Sequence, residues 1–180
     1  IVVILFLLGK VSYNQIENKT GNVDTVQTSA PEVRSNDWVL GTTTAKVTVI
    51  EYLDFECEAC GAFYPLITEL KKEYKNDLRL VVRYFPLPGH KNSRTAAHAA
   101  EAAGKQGKFW EMYGILFTKQ SEWGEQQVSN QDQFEKYAIE AGVVDIEQWK
   151  NDVVSDEVKK RVEDSYREAT SLSLQGTPSF

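Results

Sequence analysis

Two cysteines form the chemically most reactive pair in this sequence. Its 180 residues contain only these two Cys, three positions apart in the segment Cys57-Glu58-Ala59-Cys60. Cys57 ends a β-branched segment and opens a helical pattern, so we expect it at a helix N-terminus, where unpaired N–H groups and the helix dipole favour a thiolate. Cys60 lies one helical turn further on, within disulfide distance. The spacing predicts a dithiol in which one sulfur forms a mixed disulfide and the other resolves it.

Three other uses of the cysteine pair are weaker. A structural zinc site needs four ligands, and the spacing of His90 and His98, the only histidines, departs from zinc motifs. A purely structural disulfide would close a very short loop and stabilise little. Two inert buried thiols remain the plainest alternative, although CxxC at a strand-to-helix junction is a specific arrangement. We expect neither a metal nor a cofactor, and assign the histidines no chemical role.

The composition is that of a globular protein and excludes several functional classes. Hydrophobic residues make up 42% of the chain and charged residues 26%, which excludes a disordered chain. The 20 Lys and Arg against 26 Asp and Glu give a net charge of −6. A nucleic-acid partner is not expected, because phosphate contacts need clustered cations.

Hydrophobic patterns predict an α/β domain with a helical insertion. Residues 46–53 and 78–85 are β-branched and apolar, as in covered strands, and residues 57–74 between them have apolar positions at helical spacing. Strand, helix and strand form a βαβ unit with parallel strands. Helices follow over 94–104, 108–119, 132–141 and 155–170, and Asp145 opens another, with Gln148 placed for a capping box.

The N-terminal region differs in character from the rest. Residues 1–8 are all apolar, a length that fits the core of a signal segment better than a complete membrane span. We interpret residues 1–9 as part of a membrane anchor or signal segment, with an uncleaved anchor favoured and a buried strand or helix start as the alternative. Residues 10–36 are polar and without a sustained period, which is typical of a flexible linker.

Several segments together resemble a known family. VTVIEYLDFECEAC, FPLPGHKNS, GKQGKFWEMYGILF and QGTPSF are similar to the DsbA-like thiol:disulfide oxidoreductases of bacterial envelopes, a branch of the thioredoxin superfamily. The resemblance covers about residues 37–180. It implies a thioredoxin-like βαβ half at 37–89, a helical insertion domain at 90–172, and the start of the second thioredoxin half at 173–180. It also implies that the family's C-terminal β-hairpin and helix are absent from this chain.

The resemblance also implies roles for individual residues. Cys57 corresponds to the attacking cysteine and Cys60 to the resolving one, the two forming a redox-active disulfide. Thr177 and Pro178 correspond to the loop whose cis-proline lies against the disulfide and binds the substrate backbone. Glu51, six residues before Cys57, occupies the position of the family's buried acid.

Strand alternation supports the assignment of Glu51. It shares a strand face with apolar residues, so a covered sheet would bury it and raise its pKa toward neutrality. We hypothesise that Glu51 removes the proton of Cys60 during resolution, with Arg83 on the second strand as its ion partner. The alternative is that Glu51 faces solvent at a strand end.

The sequence departs from the family pattern around the nucleophile. Strongly oxidising members tend to have proline and histidine between the cysteines, whereas this chain has Glu58 and Ala59. Asp54 and Glu56 add two further acids just before Cys57. Negative charge disfavours a thiolate, so we expect a less depressed thiol pKa and a milder oxidant.

The sequence therefore predicts an enzyme, an extracytoplasmic protein disulfide oxidoreductase, and leaves two alternatives open. Its expected partners are reduced or unfolded secreted proteins, a quinone-linked membrane oxidoreductase that reoxidises it, and the membrane itself through the N-terminal segment. One alternative is a disulfide reductase or isomerase of the same fold. The other is a non-catalytic, chaperone-like module that binds peptides beside Thr177 and Pro178.

Overall fold

Three strands and seven helices lie within residues 31–180, the part of the chain that the computed structural model describes. In chain order these are β1 (Trp38–Leu40), β2 (Val47–Leu53), α1 (Glu58–Glu73), β3 (Leu78–Tyr84), α2 (Ser93–Lys105), α3 (Phe109–Thr118), α4 (Gln120–Trp123), α5 (Gln131–Glu140), α6 (Ile146–Val153) and α7 (Asp156–Ser171). The predicted anchor or signal segment at 1–9 and most of the predicted linker at 10–36 lie outside the described residues. Within residues 31–180, no helix is both long and apolar enough to cross a bilayer.

The predicted βαβ unit is confirmed. Strands β2 and β3 are parallel, with Val47 opposite Leu78 and Leu53 opposite Tyr84, and α1 connects them. Their β-branched residues suit a sheet that is covered on both faces. Strand β1 was not predicted; it pairs antiparallel with β3 and gives the sheet the order β1-β3-β2.

The predicted helical insertion is also confirmed. Helices α2 to α7 occupy the chain between β3 and the closing loop, and only the short α4 was not predicted. The capping box at α6 is half formed. The Asp145 carboxylate accepts a hydrogen bond from the Gln148 N–H at 2.8 Å, but the Asp145 N–H donates to Oε1 of Gln106 at 3.0 Å.

Aromatic side chains join the sheet to the helical insertion. The Phe55 ring lies in the active-site turn, residues 54–57 between β2 and α1, and packs against Tyr113 and Phe117 of α3 at centroid distances of 5.9 and 5.1 Å. Trp38 of β1 stacks on Phe109 of α3 with a distance of 4.6 Å between the ring centroids. These contacts make the insertion part of one continuous hydrophobic core with the sheet.

A buried ion cluster ties the insertion to the sheet as well. The Arg83 guanidinium lies 2.7 Å from Oδ2 of Asp37 and 3.0 Å from Oε2 of Glu168 on α7. The predicted pair between Arg83 and Glu51 is wrong. Arg83 stands opposite Tyr52 in the β2–β3 register, so it lies on the other face of the sheet from Glu51.

We expect Asp37→Asn to lower the free energy of unfolding by about 3 kcal/mol, because it removes one of the charged partners that compensate the desolvation of the buried Arg83. Urea unfolding of the full chain measures this. The matched control is Asp77→Asn, which removes an exposed ion pair with Lys46 and should cost under about 1 kcal/mol. An equal decrease in the free energy of unfolding in the two variants would contradict a stabilising role of the buried ion cluster.

Candidate active site

The two cysteines lie at the start of α1, as predicted. Cys57 is the N-cap residue in an extended backbone conformation, and Cys60 lies in the first turn of the helix. Cys57 is 8% exposed and Cys60 is completely buried; both are free thiols. Of the two residues, Cys57 alone retains exposed surface.

The closing segment of the chain packs against this pair. The peptide bond between Thr177 and Pro178 is cis. Ser179 forms two backbone hydrogen bonds with Tyr52 of β2, at 2.8 and 3.1 Å, and so attaches the segment to the edge of the sheet. The Sγ of Cys57 then lies 3.4 Å from the carbonyl oxygen of Thr177. The fold thus brings together all four residues that the resemblance assigned to the redox pair and its loop.

The environment separates the two thiols by their pKa values. A hydrogen bond from the Cys60 thiol, helped by backbone N–H groups at the helix start and opposed by burial, lowers the pKa of Cys57 to about 5. The same hydrogen bond, together with burial, raises the pKa of Cys60 far above its usual range. At neutral pH the pair consists of a Cys57 thiolate and a Cys60 thiol.

The expectation that nearby acids would disfavour the Cys57 thiolate is wrong. The carboxylate of Asp54 is fully engaged: Oδ1 accepts the Glu56 N–H at 2.8 Å, and Oδ2 accepts the Leu87 N–H at 2.8 Å and lies 2.7 Å from Nδ1 of His90. Two of these three groups, those of Leu87 and His90, belong to the loop that follows β3. The sequence near Cys57 could not predict these contacts, because the Leu87 N–H and the His90 ring come from a segment more than 30 residues after Asp54.

The second acid is engaged in the same way. The buried carboxylate of Glu56 accepts hydrogen bonds from the backbone N–H groups of Asn92, at 2.6 Å, and Glu125, at 3.1 Å. It therefore joins the active-site turn to the start of α2 and to the segment after α4. Of the three acids, only Glu58 has an exposed side chain.

Glu51 is buried in the structure, and the solvent-facing alternative is wrong. The residue is 1% exposed on β2, and its Oε2 accepts a hydrogen bond from the Tyr113 hydroxyl at 3.2 Å. Burial raises the pKa of Glu51 to about 7, although the hydrogen bond from Tyr113 opposes the shift. Tyr113 comes from α3, so sequence reasoning on the strand alone could not identify it.

Gln120, at the start of α4, is a further residue that the sequence did not reveal. Its side-chain amide donates two hydrogen bonds to the active-site turn, to the carbonyl oxygens of Phe55 at 2.8 Å and Cys57 at 2.9 Å. Gly61 permits this approach, since a Cβ at that position would lie 2.3 Å from the Gln120 Oε1. The glycine just after CxxC is the only local signal of this contact.

We expect Gln120→Ala to lower the free energy of unfolding by about 1–2 kcal/mol, because the carbonyl groups of Phe55 and Cys57 each lose one hydrogen bond in a partly buried turn. Chemical denaturation provides the measurement. Gln126→Ala is the matched control, since its amide donates to one exposed carbonyl, that of Glu122, and should change the stability by less than about 0.5 kcal/mol. If Gln126→Ala lowers the free energy of unfolding as much as Gln120→Ala does, the two hydrogen bonds of Gln120 do not stabilise the turn.

Comparisons with known proteins agree with this geometry. A family described as "Thioredoxin" matches residues 34–180. Among curated proteins, "Na(+)/H(+) antiporter NhaA 1" of Mycolicibacterium gilvum is 40% identical over 149 residues, which are 80% of this chain and 23% of that protein. The chain spans about a quarter of the length of such relatives.

Solved structures give a more complete overlap. A thioredoxin-like oxidoreductase from Silicibacter pomeroyi DSS-3 is 33% identical, with a TM-score of 0.68 over 81% of this chain and 79% of that one. The alpha-DsbA1 of Wolbachia pipientis superposes with a TM-score of 0.72 over 81% of this chain and 74% of that one. At 19% identity, the second similarity concerns the fold alone.

Proposed function

The chain belongs to the thioredoxin family, in its DsbA-like branch of thiol:disulfide oxidoreductases, and on this premise we propose that it is an extracytoplasmic oxidant of protein thiols. It exchanges the Cys57–Cys60 disulfide with thiols of secreted proteins through a mixed disulfide. The observation that carries the proposal is the asymmetry of the pair, since Cys57 is slightly exposed and has a strongly lowered pKa, whereas Cys60 is completely buried and has a raised pKa.

The reaction proceeds by two exchanges. A substrate thiolate attacks Sγ of Cys57, a bond forms between these sulfurs, and the Cys57–Cys60 bond breaks with its electron pair on Sγ of Cys60, which takes up a proton. A second substrate thiolate attacks the substrate sulfur of the mixed disulfide, and Cys57 leaves as a thiolate. Two electrons pass from the substrate dithiol to the enzyme.

The low pKa of Cys57 favours this direction. A thiol of low pKa is a good leaving group, and a stabilised thiolate stabilises the reduced form of the enzyme, so the oxidised form readily takes electrons from substrates. This argument replaces the expectation of a mild oxidant and disfavours the reductase and isomerase alternatives. Reoxidation is assigned to a quinone-linked membrane oxidoreductase, and the apolar residues 1–8 to attachment at the membrane.

Glu51 handles the proton of the buried sulfur. When Cys60 leaves as a thiolate, a protonated Glu51 supplies the proton; when Cys60 attacks a mixed disulfide, the ionised carboxylate accepts it. A pKa of about 7 permits both directions near neutrality. Thr177 and Pro178 lie beside the accessible sulfur and are assigned to binding an extended segment of substrate backbone.

We expect Cys60→Ser to trap mixed disulfides through Cys57, because the resolving sulfur is missing, and Cys57→Ser to trap none. Scrambled ribonuclease, which contains disulfides, is the substrate for trapping: the Cys57 thiolate attacks a substrate disulfide and releases a substrate thiolate, and non-reducing electrophoresis detects the adduct. Oxidative refolding of reduced, unfolded ribonuclease by the oxidised chain, and reduction of insulin by the reduced chain, measure the direction of transfer. Trapping at Cys60 in the Cys57→Ser variant would reverse the roles. Full activity of the double variant on unfolded substrate would favour the peptide-binding module.

We expect Glu51→Gln to slow resolution of a preformed mixed disulfide by Cys60 about 100-fold near neutral pH, because no carboxylate accepts the proton. In the unmodified chain the rate should rise with pH through about 7, as Glu51 ionises. Tyr113→Phe should move this midpoint to higher pH, since the carboxylate loses its hydrogen bond. Stopped-flow kinetics against pH gives both results.

Tyr64→Phe provides the control for these kinetics. Tyr64 packs on the Tyr113 ring at 5.6 Å but does not bond Glu51. In the Tyr64→Phe variant, the midpoint of the resolution rate against pH should match that of the unmodified chain. An unchanged rate in Glu51→Gln, or equal midpoint shifts in the two tyrosine variants, would contradict the role of the buried acid.

A further inference from the structure

The nucleophile has no cation in its own motif. The residues between the cysteines are Glu58 and Ala59, and the preceding turn contributes Asp54 and Glu56. Hydrogen bonds stabilise the Cys57 thiolate, but a charge of opposite sign nearby would add to this effect. The loop after β3, residues 85–92, contains a side chain that can carry such a charge, the imidazole of His90.

This loop runs alongside the active-site turn. Three backbone N–H groups of the loop donate hydrogen bonds, in sequence order, to the end of β2 and to the turn: Phe85 to Leu53 at 2.7 Å, Leu87 to Asp54 at 2.8 Å, and Asn92 to Glu56 at 2.6 Å. His90 lies between the second and third of these attachment points. Asp54 links His90 to the nucleophile, because its carboxylate contacts the imidazole and its backbone carbonyl oxygen accepts the Cys57 N–H at 3.1 Å.

The imidazole is anchored by a buried carboxylate. Nδ1 of His90 lies 2.7 Å from Oδ2 of Asp54, whose side chain is completely buried, while 30% of the histidine side chain is exposed. The other donors to Asp54 are neutral backbone N–H groups, from Glu56 and Leu87. Among the described contacts of this carboxylate, His90 alone can supply a compensating positive charge.

The charges around His90 favour the protonated ring. Burial opposes protonation, but the hydrogen bond and charge of Asp54, with the charges of Cys57 and Glu56, raise the pKa of His90 above its ordinary value. The electrostatic interaction of a histidine cation with a thiolate is mutual, so a charged His90 favours the Cys57 thiolate as well.

We propose that His90, held by Asp54, is the cation that stabilises the Cys57 thiolate in this enzyme. The loop after β3 thus supplies from outside the CxxC motif the positive charge that Glu58 and Ala59 do not. The role rests on the proposed disulfide exchange: a stabilised thiolate favours the reduced form and makes the disulfide more oxidising.

His90→Asn and His90→Lys in the full 180-residue chain test the proposal. Asn keeps a donor for Asp54 but no charge, whereas Lys keeps the charge. The thiolate absorbance against pH reports the pKa of Cys57, and equilibration with glutathione reports how oxidising the disulfide is. We expect His90→Asn to raise the pKa of Cys57 and to make the disulfide about tenfold less oxidising. His90→Lys should stay near the unmodified chain, and His98→Gln should not change either quantity.

Two results would overturn the proposal. One is an unchanged Cys57 titration in folded His90→Asn, and the other is a loss in His90→Lys equal to that in His90→Asn, which would show a structural role. His90→Gln replaces the asparagine variant if circular dichroism shows that the latter is unfolded. If the unmodified chain fails to oxidise ribonuclease while the titrations change as expected, the proposed function fails and the charge interaction stands.

Discussion

The coupling between the two active-site thiols is the interaction on which the site depends. Cys60 lowers the pKa of Cys57, and Cys57 raises the pKa of Cys60, so the first sulfur is a good thiolate and the second a poor one. Cys57 lies at the N-cap and Cys60 in the first turn of α1, beside the free backbone N–H groups of the helix start. Much of the surrounding structure holds this turn in place.

The helical insertion contributes directly to that task. Gln120 binds two carbonyl groups of the turn, Tyr113 binds the buried Glu51, and Asn92 binds Glu56. Each contact joins a residue of the insertion to the loop or strand before α1. The insertion is therefore part of the active-site support as well as a cover for the sheet. The Arg83 cluster fastens α7 to β3 on the opposite face.

Local patterns were sufficient for the parts of the site that depend on position along the chain. The alternation of β2 predicted a buried Glu51, and the junction of strand and helix predicted the N-terminal location of Cys57. The same approach failed where the outcome depends on contacts between distant segments. Asp54 and Glu56 were interpreted as acids that oppose the thiolate, yet their carboxylates are bound by donors from the loop after β3 and the helical insertion.

The sequence by itself determined the βαβ unit, the helical insertion and the two cysteines at a helix start, because periodicity and spacing record which faces are apolar and where helices begin. The tertiary structure alone decided the electrostatics. It placed Thr177 beside Cys57, and His90 beside Asp54. A carboxylate or imidazole acts according to the donors and charges within a few ångströms, and those neighbours are set by the packing of segments that lie far apart in the chain.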